Sequence, residues 1–191
     1  MSGPGFPASR PEPPGQGRWR YGLGPHDRNA ATGGALTMWG PMMTLRDSDA
    51  GRIAGVWIAP DGGELLVLTE AETTYWRAPE KRALWTVRER AGGEGLSPDG
   101  RLYRDSASGL FYPLLGPHGG RQLREHPTGG HITVDDKTGR VAVTDPAGEM
   151  QTLSQGNGLG DWRVAGFCES GARILVAEPR CLVLHAPQDR R

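Results

Sequence analysis

The chain has 191 residues, the size of one ordinary domain, and 22 Lys plus Arg balance 22 Asp plus Glu to a formal net charge of zero. Neutrality argues against a strongly basic nucleic-acid binder and against an acidic solvating tail. With 30 Gly, 16 Pro and only 36% hydrophobic residues, the composition predicts a modest core wrapped in many turns, and no apolar run approaches the ~20 residues of a membrane-spanning helix.

Residues 1–34 form a separate compositional zone, with Gly or Pro at 14 of its 34 positions and almost no aliphatic side chains. Such a segment cannot bury enough apolar area to offset its ordering entropy, so it reads as a disordered leader ahead of a β domain over 35–191. Its first residues, Met1-Ser2-Gly3-Pro4-Gly5-Phe6-Pro7, have neither a basic region nor an apolar one, which is not the pattern of a secretory signal and points to the cytoplasm. Within it, Arg18-Trp19-Arg20-Tyr21 interleaves guanidinium groups with aromatic rings. That could stack on bases or hold anionic headgroups, but four residues on a neutral chain read better as a patch docking on the folded domain.

From about residue 35 the pattern changes to short runs rich in Val, Ile, Leu, Thr and aromatic residues, separated by Gly, Pro and Asp clusters. This is the signature of an all-β fold. Strands are expected at 35–39, 42–46, 53–59, 64–69, 73–77, 101–105, 131–135, 140–144, 162–167, 173–177 and 181–185. The unbroken apolar runs Ile174-Leu175-Val176-Ala177 and Leu182-Val183-Leu184 predict strands covered on both faces. The stretch 79–91 fits two readings. Pro79 near its start, Gly92-Gly93 at its end and Ala83, Leu84, Val87 and Ala91 on one face suit a helix. Alternation of Leu84, Thr86 and Arg88 against Trp85, Val87 and Glu89 suits a strand.

An internal repeat favours the strand. Four segments carry a turn ending in Gly between two short strands: Ala59-Pro60-Asp61-Gly62, Ser97-Pro98-Asp99-Gly100, Asp136-Lys137-Thr138-Gly139 and Cys168-Glu169-Ser170-Gly171. Their glycines are 38, 39 and 32 residues apart, the spacing of a unit of three or four strands that must pack against copies of itself. In Pro-Asp-Gly, Pro presets φ, Asp bonds the backbone two residues on, and Gly takes positive φ, so Asp61, Gly62, Asp99, Gly100, Gly139 and Gly171 are the expected structural turn residues.

Ser97-Pro98-Asp99-Gly100-Arg101-Leu102 and Ala59-Pro60-Asp61-Gly62-Gly63-Glu64-Leu65-Leu66 resemble the turn-and-strand part of a blade in the WD-repeat β-propellers. Tyr75-Trp76-Arg77 sits where that family's Trp-Asp end would be, with Arg77 in place of Asp, and the family's Gly-His blade entry is absent from all four units. The resemblance covers about residues 51–187. It implies a small propeller of about four blades, whose last blade the N-terminal strands could complete by laying 42–46 beside 181–185, with residue 44 near residue 183. About 16 strands would result.

Candidate chemistry is sparse. His118, His126 and His131 fall in one window with Glu125, but spacings of 8 and 5 match no compact metal motif, and loop histidines beside Gly and Pro are the plainer reading. Asp135-Asp136 occupies a repeat turn, which accounts for the paired carboxylates. Gly156-Asn157-Gly158-Leu159-Gly160 precedes a strand rather than a helix, unlike a phosphate loop. Cys168 and Cys181 lack C-x-x-C spacing and sit in apolar company. No cofactor is expected. The sequence therefore points to a non-catalytic interaction or scaffold module, monomeric or homodimeric, that presents loop surfaces to a protein partner. A polar enzyme or ligand site in a central channel, or an assembly-dependent fragment of a larger propeller, is the alternative.

Overall fold

The computed structural model describes residues 38–46, 51–156 and 161–188. The proposed leader, strand residues 35–37 and most of the glycine-rich 156–160 loop lie outside that set. Thirteen strands and no helix occur among the described residues, and none of these residues forms a helix long and apolar enough to cross a membrane.

The strands are β1 (Met38–Arg46), β2 (Ile53–Ile58), β3 (Glu64–Thr69), β4 (Thr73–Arg77), β5 (Arg82–Val87), β6 (Leu102–Arg104), β7 (Phe111–Pro113), β8 (His131–Val134), β9 (Val141–Thr144), β10 (Met150–Ser154), β11 (Val164–Phe167), β12 (Ile174–Glu178) and β13 (Cys181–Gln188). They form four antiparallel sheets, with orders β2-β3-β4-β5, β6-β7, β10-β9-β8 and β1-β13-β12-β11. The fold is all-β, as the alternating runs and turn clusters imply.

β1 and β13 join the two ends of the described chain. Thr44 faces Val183, as expected from strand counting, within a ladder from Met38–Gln188 to Arg46–Cys181. The two early strands expected at 35–39 and 42–46 are instead one strand, Met38–Arg46, whose register shifts between Pro41 and Met43. Gly40-Pro41 does not break it because β1 is an edge strand, where a missing N–H can face outward without loss.

Sheet stacking explains the unbroken apolar runs. Along β12, Leu175 and Ala177 join one buried cluster with Val164, Leu182, Leu184, Val56, Leu65 and Val67, while Ile174 and Val176 join a second with Phe167, Trp39, Ile132 and Val143. The terminal sheet thus packs β2–β5 on one face and β8–β10 on the other, and alternate residues serve opposite cores. On β3, Leu65 and Val67 enter the first cluster, whereas Leu66 and Leu68 enter a third with Trp57, Tyr75, Tyr103 and Leu114 that covers the β6–β7 sheet. Three apolar layers therefore join the four sheets in series. Among the described residues no buried cluster joins β6–β7 to β8–β10.

The stretch 79–91 holds strand β5, with Trp85 stacked on Tyr75 of β4 at 5.5 Å between centroids. Its helix-like punctuation is turn chemistry: Lys81, at φ 52°, closes the Ala78–Lys81 turn. The second repeat is thinner than expected. Ahead of β6 only a bridge from Leu96 to Tyr103 remains. After β7 the chain leaves the sheet: Leu115 bridges to Val56 of β2 and Leu123 to Phe167 of β11. Among the described residues, thirteen strands stand where about 16 are expected.

The repeat glycines Gly62, Gly100, Gly139 and Gly171 have φ of 75, 66, 71 and 76°. Asp61 accepts the Gly63 N–H at 2.8 Å, and Asp99 accepts the Ser97 hydroxyl at 2.6 Å and the Arg101 N–H at 3.2 Å. These bonds hold the Asp99 carboxyl below its usual range. A Cβ on Gly100 would lie 3.3 Å from Ala91 Cβ and Leu68 Cδ2, whereas one on Gly62 would lie 2.4 Å from Arg173 Cγ. Gly100→Val is expected to cost about 1 kcal/mol or more from backbone strain alone, and Gly62→Val more. Equal melting temperatures for the two variants and the parent would contradict the turn geometry. For the terminal ladder, Thr44→Cys with Val183→Cys in a Cys181→Ser background should oxidise to an intramolecular crosslink, seen as a faster-migrating monomer on non-reducing gels; a crosslinked dimer would show that β1 pairs between chains.

Candidate functional site

A cleft of about 670 Å³ opens between the β8–β10 sheet and the terminal sheet. Its wall is built from aromatic rings and prolines: Trp39, Phe167, His126, Pro146 and Pro187, with the Gly171 turn at one end. Trp39 and Phe167 meet edge-on at 5.9 Å, and the His126 ring lies 4.9 Å from Phe167 and 6.4 Å from Trp39.

The side chains of His126, Thr128 and Asp145 in this cleft are already engaged. The Thr128 N–H donates to His126 Nδ1 at 3.1 Å, and the Thr128 hydroxyl lies 2.9 Å from the same nitrogen. Because a backbone N–H can only donate, Nδ1 is the acceptor, and Nε2 carries the proton that it donates to the Gly171 carbonyl at 3.1 Å. His126 is thereby a tie between the segment ahead of β8 and the fourth repeat turn. Asp145 accepts the N–H groups of Ala147 at 2.8 Å and Glu149 at 2.9 Å, closing the β9–β10 turn.

Trp39 is positioned from both sides. β13 pairs along one edge of β1, and on the other the Gln151 side chain of β10 acts as a short strand. Its Oε1 accepts the Trp39 N–H at 2.8 Å and its Nε2 donates to the Trp39 carbonyl at 2.7 Å. Trp39 N–H and C=O therefore point away from β13, so its partner Pro187 sacrifices no ladder bond. At the far end of the same interface, Arg163 donates to Glu178, also bonding the Gly139 carbonyl; the two side chains are 10% and 14% exposed.

The structure does not gather the three candidate histidines. His118 is exposed in the Gly116–Gly119 turn, His131 opens β8, and His126 has both ring nitrogens occupied. Among the described residues no group of three His, Cys, Asp or Glu side chains could hold a metal ion. Asp135 accepts the N–H groups of Lys137 and Thr138 at 2.8 and 3.0 Å, bonds that lower its pKa and identify it as a turn residue. Cys168 is buried with Sγ 3.3 Å from Ser170 Oγ, Cys181 is half-buried, and no disulfide joins them.

One residue that the sequence reading passed over is His185 of β13. It is 5% exposed, sits between Ile174 and Pro41 across the terminal sheet, and has no hydrogen-bond partner on either ring nitrogen. Burial pushes its pKa down to about 4. Alternation with Leu182 and Leu184 is the clue that it faces the second core, but a histidine inside an apolar strand run gives no sequence signal that it lacks a partner there.

No protein-family model matches the sequence, and no curated protein matches it. Among solved structures, hydrazine synthase from Kuenenia stuttgartiensis aligns over 73% of this chain and 51% of its own, at 13% identity and a TM-score of 0.21. The chain thus spans about half the length of that structure, and similarity at this level assigns neither fold nor function.

His185 sets an acid limit on stability. Its folded pKa lies below the unfolded value of 6.5, so the unfolded chain binds the extra proton first. Stability from this site is full above about pH 6.5 and is lost as pH falls toward 4. Urea unfolding at pH 7 and pH 5 should show a loss of about 2 kcal/mol from this group, absent in His185→Leu. The same pH slope in both proteins would mean that His185 is not buried neutral.

Proposed function

We propose that this chain is a non-catalytic protein-interaction module: a small, WD-repeat-like propeller arc of about four blades that presents its clefts and turns to a protein partner. Three features support the propeller-like reading. Four antiparallel sheets stack through apolar layers, a positive-φ glycine turn recurs at the same place in each repeat, and the first described strand completes the last sheet. Closure of the ring would require β6–β7 to meet β8–β10.

The observation that carries the functional reading is the cleft beside Trp39. It combines about 670 Å³ of space, aromatic and proline walls, and polar side chains already committed to the fold. Such a surface has area and shape to offer, and its imidazole and its carboxylate are both hydrogen-bonded within the fold. Aromatic surfaces flanked by exposed turns suit protein recognition because rigid rings give contact area at little entropic cost.

The rim residues Ala147 and Ser170 line this cleft, and both are exposed. The double variant Ala147→Arg, Ser170→Arg should fold, with a melting temperature no lower than that of Ser170→Ala, which removes the same hydroxyl contacts to Cys168 and the Ala172 N–H, and lose the stoichiometric partner that the parent enriches from its native host. Identical enrichment by both proteins would place recognition elsewhere on the module. Turnover of a small molecule that the double variant abolishes would replace the interaction reading with a catalytic one.

A further inference from the structure

One edge of the β6–β7 sheet is open among the described residues and is bordered by exposed apolar and basic side chains. In the β6–β7 ladder, Asp105 N–H donates to the Leu110 carbonyl and Leu114 N–H to the Arg101 carbonyl, both at about 2.8–2.9 Å. Antiparallel alternation then makes Tyr103–Tyr112 a bonded pair and turns the backbone groups of Phe111 and Pro113 away from β6. Among the described residues no strand, bridge or hydrogen bond reaches the N–H or carbonyl of Phe111 or the carbonyl of Pro113.

That edge borders a second cleft of about 360 Å³, whose far wall is formed by Arg121, Leu123 and Phe167 and whose floor includes Val56 and Leu115. On the outer face of the sheet, Phe111 is 65% exposed and lies across from Arg104, with Leu102 40% exposed on the same face; Leu110, 59% exposed, precedes β7. No carboxylate among the described residues pairs with Arg104 or Arg121; Glu169, also on the cleft, is the one acidic side chain there. Arg101, at the sheet's end, touches Asp99 only at 3.9 Å.

We propose that the β7 edge is a docking site for an extended peptide segment that adds as a further strand, with acidic side chains on its outer face and small apolar side chains facing the cleft. The backbone pattern fixes the mode. An unpaired edge accepts a strand, and here it offers one donor and two acceptors, since Pro113 has no N–H; that asymmetry selects the register. The side chains fix the chemistry. Successive residues of an added strand point to opposite faces. Those on the outer face lie beside Phe111 with Arg104 beyond it, where a carboxylate gains and an ammonium loses. Those on the inner face meet Val56, Leu115 and Phe167 and must be apolar. The two clefts share Phe167, but the β7 edge is no part of the Trp39 cleft, so it adds a second surface to the interaction module and can fail without it.

The probe is a fluorescein-labelled peptide of four Val-Asp repeats, titrated by anisotropy against the full chain. The expected result is saturable binding, weakened about tenfold or more by exchanging Asp for Lys in the peptide or by Arg104→Glu in the protein. Phe111→Pro, which removes the outward N–H and the exposed ring, should abolish binding. N-methylation of alternate peptide bonds in the probe should do the same with the protein untouched, so a folding defect in the variant cannot decide the outcome. The Ala147→Arg, Ser170→Arg variant should bind the probe as the parent does. Equal affinity for the Asp and Lys peptides, full binding of the N-methylated probe, or no binding up to about 1 mM would each overturn the assignment. Dimerisation of the chain that Phe111→Pro abolishes would assign the edge to a second copy and overturn it as well.

Discussion

The ladder between β1 and β13 is the constraint on which the other layers depend. It brings Thr44 to Val183 across almost the whole described chain and turns a three-stranded sheet into a four-stranded one. Closing so long a loop costs conformational entropy, but the cost grows only logarithmically with length and is met once. In return β13 is no longer an edge, and Met43, 3% exposed, enters the core formed by Val56, Leu65 and Leu184. Trp39 is carried by the same strand into the opposite core. One strand therefore supplies side chains to both faces of the central sheet. Its loss would uncover two apolar layers at once and leave a long apolar edge, the arrangement soluble β proteins avoid.

Polar contacts then distinguish one interface from the others. The layer between the terminal sheet and β8–β10 is pinned at several points: Gln151 on the Trp39 backbone, His126 on Gly171, and Arg163 on Glu178 and Gly139. The layer beneath β6–β7 is held by rings. Trp57 lies 4.8 Å from Tyr103 and 5.8 Å from Tyr112, and Tyr75 stacks between Trp57 and Trp85. Tyr75 donates to Glu64 at 2.7 Å, and with burial this keeps its phenol neutral well above the usual range. Directional bonds fix register; ring contacts tolerate small rotations. The two ends of the series are thus held by different physics.

What was legible in the sequence follows from locality. A Pro-Asp-Gly turn is determined by three adjacent residues, so Gly62 and Gly100 announce themselves. Double-faced burial is written into consecutive apolar residues, so 174–177 announces a central strand. The 79–91 stretch shows the limit: Pro79 and Gly92 punctuate a helix and a hairpin alike, and pairing with β4 decides between them. Gln151, His126 and His185 were out of reach because their roles depend on residues far along the chain. Gln151 bonds a backbone 112 residues away, and nothing in Met150-Gln151-Thr152 encodes that partner. His126 was legible as a candidate but not as a tie, since its second nitrogen is spent on a carbonyl 45 residues on.

The uneven sheets bear on function through the same accounting of backbone groups. Where side chains substitute for a missing neighbour, as Gln151 does for β1, an edge is closed from within the chain and is unavailable to others. Where no such substitute exists among the described residues, as along Phe111 and Pro113, the backbone groups are open to a further strand. The thin second repeat is the reason the edge exists: after β7 the chain pairs Leu115 with β2, turns at Gly116–Gly119 and pairs Leu123 with β11. That detour seals the inner edges of the neighbouring sheets and leaves β7 beside the cleft they border. What sets this edge apart as a recognition surface is its setting: it borders an apolar cleft on one side and Phe111 with Arg104 on the other.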